Sequence, residues 1–142
     1  MRTLKFKGGK YQDDFVKACR KGNVEKVNEL IKKKVVNPAA NNQLSLSEAI
    51  TNQHPEVVKI LLADPRINPA LNNQHSFMLA CQSNTNESIV RLFLADPRIN
   101  PSLEYQRGFL LAIMHNKRIP VVRLFLSDPR IDPALHSQHS FL

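Results

Sequence analysis

Five histidines, two cysteines and one adjacent pair of aspartates are the residues of this 142-residue chain best suited to metal, nucleophilic or acid–base chemistry. Of His54, His75, His115, His136 and His139, only the last two are spaced to share one helical face. Zinc is normally held by three or four protein ligands, and no third accompanies them. His139 also repeats His75 within a duplicated segment, so it reads as a repeat position and no metal site is expected. Cys19 and Cys81 each follow an alanine at equivalent places two repeats apart. Helices packed ~8–10 Å apart would separate them by roughly 20 Å, beyond disulfide reach, so both are expected as small core residues. Gly8-Gly9-Lys10 is a fragment of a phosphate loop, without the full G-x-x-x-x-G-K-[ST] pattern or a preceding strand. Asp13 and Asp14 suit the cap and first turn of an opening helix, and no partner constellation marks them as catalytic. No catalytic residue, cofactor or small-molecule substrate is expected, and the chain is not expected to be an enzyme.

Composition and charge then limit the setting. The length suits one domain, and at 42% hydrophobic no run approaches the ~18 apolar residues of a spanning helix. The basic start MRTLKFKGGK has no apolar core or cleavage site behind it, two cysteines make no disulfide framework, and the Asn86-Glu87-Ser88 sequon has no export signal to make it usable. The expected setting is cytoplasmic or nuclear, neither secreted nor membrane-spanning. The net charge of +8 is unevenly distributed. Residues 1–36 carry eleven Lys or Arg against four Asp or Glu, whereas residues 37–142 carry nine against eight. Basicity therefore belongs to the N-terminal end, chiefly Arg2, Lys5, Lys7, Lys10 and the Lys32-Lys33-Lys34 run. That run also suits a helix end, where lysines complement unpaired carbonyls.

Internal repetition dominates the pattern. LADPRINP at 62–69 returns at 94–101 and again as LSDPRIDP at 126–133, which places Asp64, Asp96 and Asp128 32 residues apart. An earlier copy, VEKVNELIKKKVVNPAANNQLSLSEA, keeps the apolar spacing, the Asn-Pro and the Asn-Asn-Gln but lacks Asp-Pro-Arg. Periods of 20 to 50 residues signify a stacked array. Each copy predicts two short helices. The second carries a wide apolar face: Val57, Val58, Ile60, Leu61 and Leu62, then Ile89, Val90, Leu92, Phe93 and Leu94, then Val121, Val122, Leu124, Phe125 and Leu126, all expected to be buried. Pro55 and Pro120 fit just inside helix starts, and Asn86 suits the cap of the middle one. The first helix is expected to be the shorter one, with Ala18, Ala49, Ala80 and Ala112 allowing close approach of its neighbours and Phe77, Phe109 and Phe141 in the core.

Lys21-Gly22-Asn23-Val24-Glu25-Lys26-Val27 and Asn52-Gln53-His54-Pro55-Glu56-Val57-Val58-Lys59-Ile60-Leu61-Leu62 resemble the ankyrin signature of a short helix, a Gly-His type turn and a Glu-Val-Val-x-Leu-Leu-Leu helix. The resemblance covers residues 12–142 and is nearest to a divergent ankyrin subtype with Ala-Asp-Pro-Arg-Val-Asn-Pro linkers. It implies an all-α, right-handed ankyrin-type solenoid of helix-turn-helix repeats, with the short helices and linker tips on a concave side, and protein binding as the role. The Thr-Pro-Leu-His opening of the family is absent: Leu44-Ser45-Leu46-Ser47, His75-Ser76-Phe77-Met78 and Arg107-Gly108-Phe109-Leu110 stand there. Pro65, Pro97 and Pro129 replace the family's glycine after the second helix, which still stops it and predicts a tight loop in place of a two-stranded finger.

The expected organisation is a basic segment at 1–11 and a repeat domain at 12–142, with approximate repeats at 12–36, 37–67, 68–99 and 100–131 and a truncated one at 132–142 whose apolar edge is expected to be uncovered. In a repeat array, recurring residues build the stack and non-recurring ones are free to encode specificity. The candidate partner-binding residues are therefore Leu71, Asn73 and His75 in one copy and Leu103, Tyr105 and Arg107 in the next. Tyr105 and Arg107 lead, because Tyr and Arg are enriched at binding hot spots. The expected partner is a protein; the alternative is electrostatic binding of nucleic acid or acidic lipid through the basic N-terminal segment.

Overall fold

A computed structural model describes residues 9–82, 87–116 and 119–134, with the side chains of Glu104, Tyr105, His115 and Asn116 outside that description. Every regular element among the described residues is helical: α1 (Gly9–Lys21), α2 (Val24–Lys32), α3 (Ala40–Thr51), α4 (Pro55–Ala63), α5 (Leu71–Gln82), α6 (Glu87–Ala95), α7 (Leu103–Leu111), which runs into a π-helical turn at Ala112–Asn116, and α8 (Ile119–Leu126). None is long and apolar enough to cross a membrane. The chain divides into two compact bodies, Met1–Asn68 and Pro69–Leu142.

In the N-terminal body α1 packs on α3 and α2 on α4, so like helices stack in two layers. The alanine positions make this possible, since Ala18 and Ala49 are buried between helices that a larger side chain would push apart. Phe15, Leu30, Leu46, Ile50 and Leu61 fill the core around them. α1 ends at Lys21 and turns through Gly22, whose φ of +73° is the left-handed conformation glycine adopts without penalty. His54 closes over that turn, with its Nε2 2.9 Å from the Arg20 carbonyl, and a Cβ on Gly22 would lie 2.4 Å from His54 Nδ1. Asn23 then caps α2, its Oδ1 accepting from the Lys26 N–H at 3.1 Å.

In the C-terminal body α5 packs on α7 and α6 on α8. Its core is aromatic. Phe77 meets Phe93 and Phe125 at centroid distances of 5.9 and 6.1 Å, and Phe109 meets Phe125 at 5.6 Å, within the range of favourable aromatic pairing. Gly108 is the small residue that admits this cluster, because a Cβ there would stand 2.9 Å from the Phe77 ring.

Several expectations change. Asp13 and Asp14 are not the cap and first turn of α1, which begins at Gly9 and places both one turn further in. α1, at 13 residues against 9 in α2, is longer than expected, whereas in α3 and α5 the right-handed helix begins only after Gln43 and Gln74 and covers 44–51 and 75–82, slightly shorter than the 9 residues of α4 and α6. The second-helix faces are buried only in part. Val57, Val58, Leu61, Ile89, Val90, Phe93, Val121 and Phe125 are core, Ile60, Leu92, Leu94, Val122 and Leu124 are half-buried, and Leu126 is 52% exposed. The stripe is wider than the strip of helix its neighbour covers. Pro55 opens α4 and Pro120 is the second residue of α8, as expected. Asn86, His136, His139, Phe141, most of the basic segment and most of the truncated repeat at 132–142 lie outside the described residues.

Candidate functional site

The linker motif is two turns in succession, each built by an acidic or amide side chain followed by proline. Asp64 Oδ1 accepts the Arg66 N–H at 3.0 Å, and the same contact joins Asp96 to Arg98 and Asp128 to Arg130. Further along, Asn37, Asn100 and Asp132 accept from the N–H two residues on, at Ala39, Ser102 and Ala134. These side chains replace the backbone partner a helix would have provided. Ile67, Ile99 and Ile131 turn inward between the two turns and are buried. No strand interrupts the described linkers.

Each arginine then folds back on its own aspartate as a two-point pair. The closest N–O distances are 2.8 Å in Arg66–Asp64, 2.7 Å in Arg98–Asp96 and 2.6 Å in Arg130–Asp128. Hydrogen bonding to the guanidinium holds Asp64, Asp96 and Asp128 below the usual carboxylate range against the opposing effect of burial, and raises the partner arginines. A free Nη is left to reach the preceding copy. Arg66 Nη1 donates to the Val36 carbonyl at 3.2 Å and Arg130 Nη1 to the Ile99 carbonyl at 3.1 Å, while Arg130 Nη2, already paired with Asp128, also donates to the Leu94 carbonyl at 2.8 Å. Asp-Pro-Arg is therefore both a helix stop and a brace between copies, and none of its groups is left poised for reaction.

The recurring glutamine has a role that the sequence does not reveal. Gln43 Nε2 donates to the Asn68 carbonyl at 3.0 Å while its Oε1 accepts the Asn68 N–H, a closed two-bond clamp on the backbone of the next linker. Gln12 holds Asn37 in the same way, Gln74 holds Asn100 and Gln106 holds Asp132. Gln43, Gln74 and Gln106 are buried, so each clamp satisfies polar groups on both sides. The two asparagines ahead of the glutamine supply the approach. Asn41-Asn42-Gln43 and Asn72-Asn73-Gln74 all lie at φ between +53° and +61°, a single left-handed turn, and asparagine is the non-glycine residue that accepts this conformation most readily.

The candidate partner residues sit around this turn. Asn73 and His75 are exposed and Leu71 half-buried at the opening of α5; Arg107 is exposed and Leu103 half-buried at the opening of α7. The backbone of Tyr105 lies in α7 and its side chain is outside the described residues. Within the C-terminal body the packing of α5 on α7 brings the two openings onto neighbouring helices. Leu44 occupies the position of His75 and Arg107 in the copy before them, and it too is exposed. Beyond Arg107, the same helix and its π-helical turn expose Leu110, Ile113 and Met114, the last by 62%. Sequence reasoning missed these three, because nothing in one chain distinguishes an apolar residue at the edge of a face from one at its centre.

Cys19 and Cys81 are both buried and free. Burial pushes the Cys19 thiol up to about 12, partly offset by a hydrogen bond with Ser45, and pushes Cys81 up as well, so neither is an activated nucleophile. Among the described residues no three His, Cys, Asp or Glu side chains gather as a metal site. The basic N-terminal region adds one concave feature: a cleft of about 330 Å³ between α1 and α2, lined by Asp14, Lys17, Ala18, Lys21, Asn23 and Lys26. Of the basic residues the sequence emphasised, Lys10 is exposed on the first turn of α1 and Lys32, Lys33 and Lys34 are exposed at the end of α2; none of them lines that cleft. Comparison with known proteins finds no matching family model, no matching curated protein and no matching solved structure.

Proposed function

We propose that this chain is a non-enzymatic protein-interaction module, an ankyrin-type α-solenoid that binds a partner protein through the openings of its first helices. The observation that carries this reading is a single repeat position. Leu44, His75 and Arg107 recur in register, all exposed, while the clamping glutamine before each and the serine or glycine after each are buried. The buried neighbours are held nearly constant by packing, and the exposed position changes from apolar to imidazole to guanidinium. A fixed scaffold with variable outward side chains is how repeat proteins carry specificity. The exposed Leu110, Ile113 and Met114 next to Arg107 add apolar area to the same helix, in keeping with a protein partner more than with a small polar ligand.

The test uses the intact chain as bait. Tyr105→Ala combined with Arg107→Ala is expected to weaken capture of the partner by at least about tenfold, the effect of losing one or two hot-spot residues, with the helical circular dichroism unchanged. Capture unaffected by the double substitution would remove these residues from the binding surface.

A further inference from the structure

The cleft between α1 and α2 does not belong to the partner surface proposed above, and its lining is of a different kind. Lys17 and Lys21 project from one face of α1, four residues apart, and Lys26 comes from the first turn of α2. One carboxylate, Asp14, shares the lining with these three ammonium groups. Lys26 is engaged by Glu29 at 2.8 Å, whereas Lys17 and Lys21 make no ion pair among the described residues. Asn23 lines the cleft as well, and because its oxygen is committed to the Lys26 N–H, its amide NH₂ is the end left to donate. Like charges gathered in a concavity with low-dielectric walls raise the local positive potential above that of the same lysines spread over a surface.

We propose that this cleft binds a multiply charged phosphate group. Two observations choose phosphate over the carboxylates of an acidic peptide. The lining holds no arginine: the nearest in sequence, Arg20, is paired with Glu48 on α3 at 3.1 Å. Planar carboxylates are matched best by the arginine fork, whereas lysines act as rotatable point charges that suit a tetrahedral oxyanion of higher charge. The volume, about 330 Å³, is at the lower end of ligand pockets and suits a compact group better than a folded chain. A soluble polyphosphate and a phosphorylated lipid headgroup present the same chemistry to it.

The experiment is calorimetric titration of the full chain with sodium tripolyphosphate at low ionic strength, beside Lys17→Gln with Lys21→Gln and a control, Lys32→Gln with Lys59→Gln, that removes equal charge outside the cleft lining. All four lysines are exposed, so neither pair disturbs the core. Saturable binding weakened at least about tenfold by the cleft pair and less than about twofold by the control supports the site, since close charge contacts count for more than screened distant ones. Absence of saturable binding, or equal weakening by both pairs, overturns it. Sedimentation with phosphatidylcholine vesicles containing phosphatidylinositol bisphosphate assigns the source: loss of vesicle binding in the cleft pair points to a headgroup, and binding of tripolyphosphate without vesicle binding points to a soluble ligand. An RNA oligomer that binds where tripolyphosphate does not would also overturn the proposal.

Discussion

Gln74 shows how much can rest on one side chain. It is buried, it donates to the Asn100 carbonyl and it accepts the Asn100 N–H; that carbonyl also accepts from the Leu103 N–H at 3.2 Å, so it is the Asn100 N–H that depends on the glutamine. Gln74→Ala leaves that part-buried N–H without its acceptor, and an unpaired buried polar group costs up to ~1–3 kcal/mol. The urea midpoint of the variant should fall accordingly, and a midpoint within error of the parent would show the clamp to be dispensable. Gln74→Glu is expected to recover only part of the loss, because a carboxylate accepts the N–H but opposes the carbonyl. The recurrence of this glutamine is plain in the sequence, yet its burial is not. A polar residue repeated at a fixed period has the same appearance whether it faces water or a backbone 25 or 26 residues further along.

The elements were legible to different depths. The alanines, the inward isoleucines and the core phenylalanines announce themselves by period, because packing demands the same volume at the same place in every copy. Helix ends are less accessible to that logic. The opening of α3 and α5 is a left-handed turn of three residues, and only the Asn-Asn pair hints at it. Left-handed backbone costs roughly 1–2 kcal/mol per ordinary residue, so the asparagines are there for their tolerance of that conformation. Asn73→Gly is therefore expected to leave the thermal midpoint unchanged or raise it, whereas Asn73→Val should lower it by an amount equivalent to ~1–2 kcal/mol. Similar midpoints for the two variants would refute the conformational argument. The cleft was hidden for a related reason. Lys17 and Lys21 share a helix face by spacing alone, but Lys26 joins them only through the tight turn at Gly22-Asn23.

For the whole molecule, the two thiols are placed as internal reporters. Cys19 lies in the N-terminal body and Cys81 in the C-terminal body, both buried and both with thiols raised well above neutrality. Reagents such as Ellman's should label neither in the native chain and both in urea. In repeat architectures stability is a sum of local and nearest-neighbour terms, so damage to one copy stays largely near it. Gln43→Ala is accordingly expected to speed labelling of Cys19 more than that of Cys81. Equal acceleration of both would show that the bodies open as one cooperative unit.

The π-helical turn at Ala112–Asn116 bears on how such a chain tolerates changes in its own length. From Ala18 to Lys26 and from Ala49 to Val57, the equivalent positions on first and second helices, the interval is eight residues; from Ala80 to Ile89 and from Ala112 to Val121 it is nine. The clamp intervals lengthen in step, from 25 residues for Gln12 and Gln43 to 26 for Gln74 and Gln106, and every clamp still closes. A π turn holds one more residue than an α turn over the same rise. In the last described copy the surplus residue has been wound into the helix, so slack gathers between the paired helices while the linkers keep their length. Insertions and deletions of single residues should accumulate at that joint and be purged from Asp-Pro-Arg, which makes the joint the hinge of sequence drift in this protein and the linker its fixed gauge.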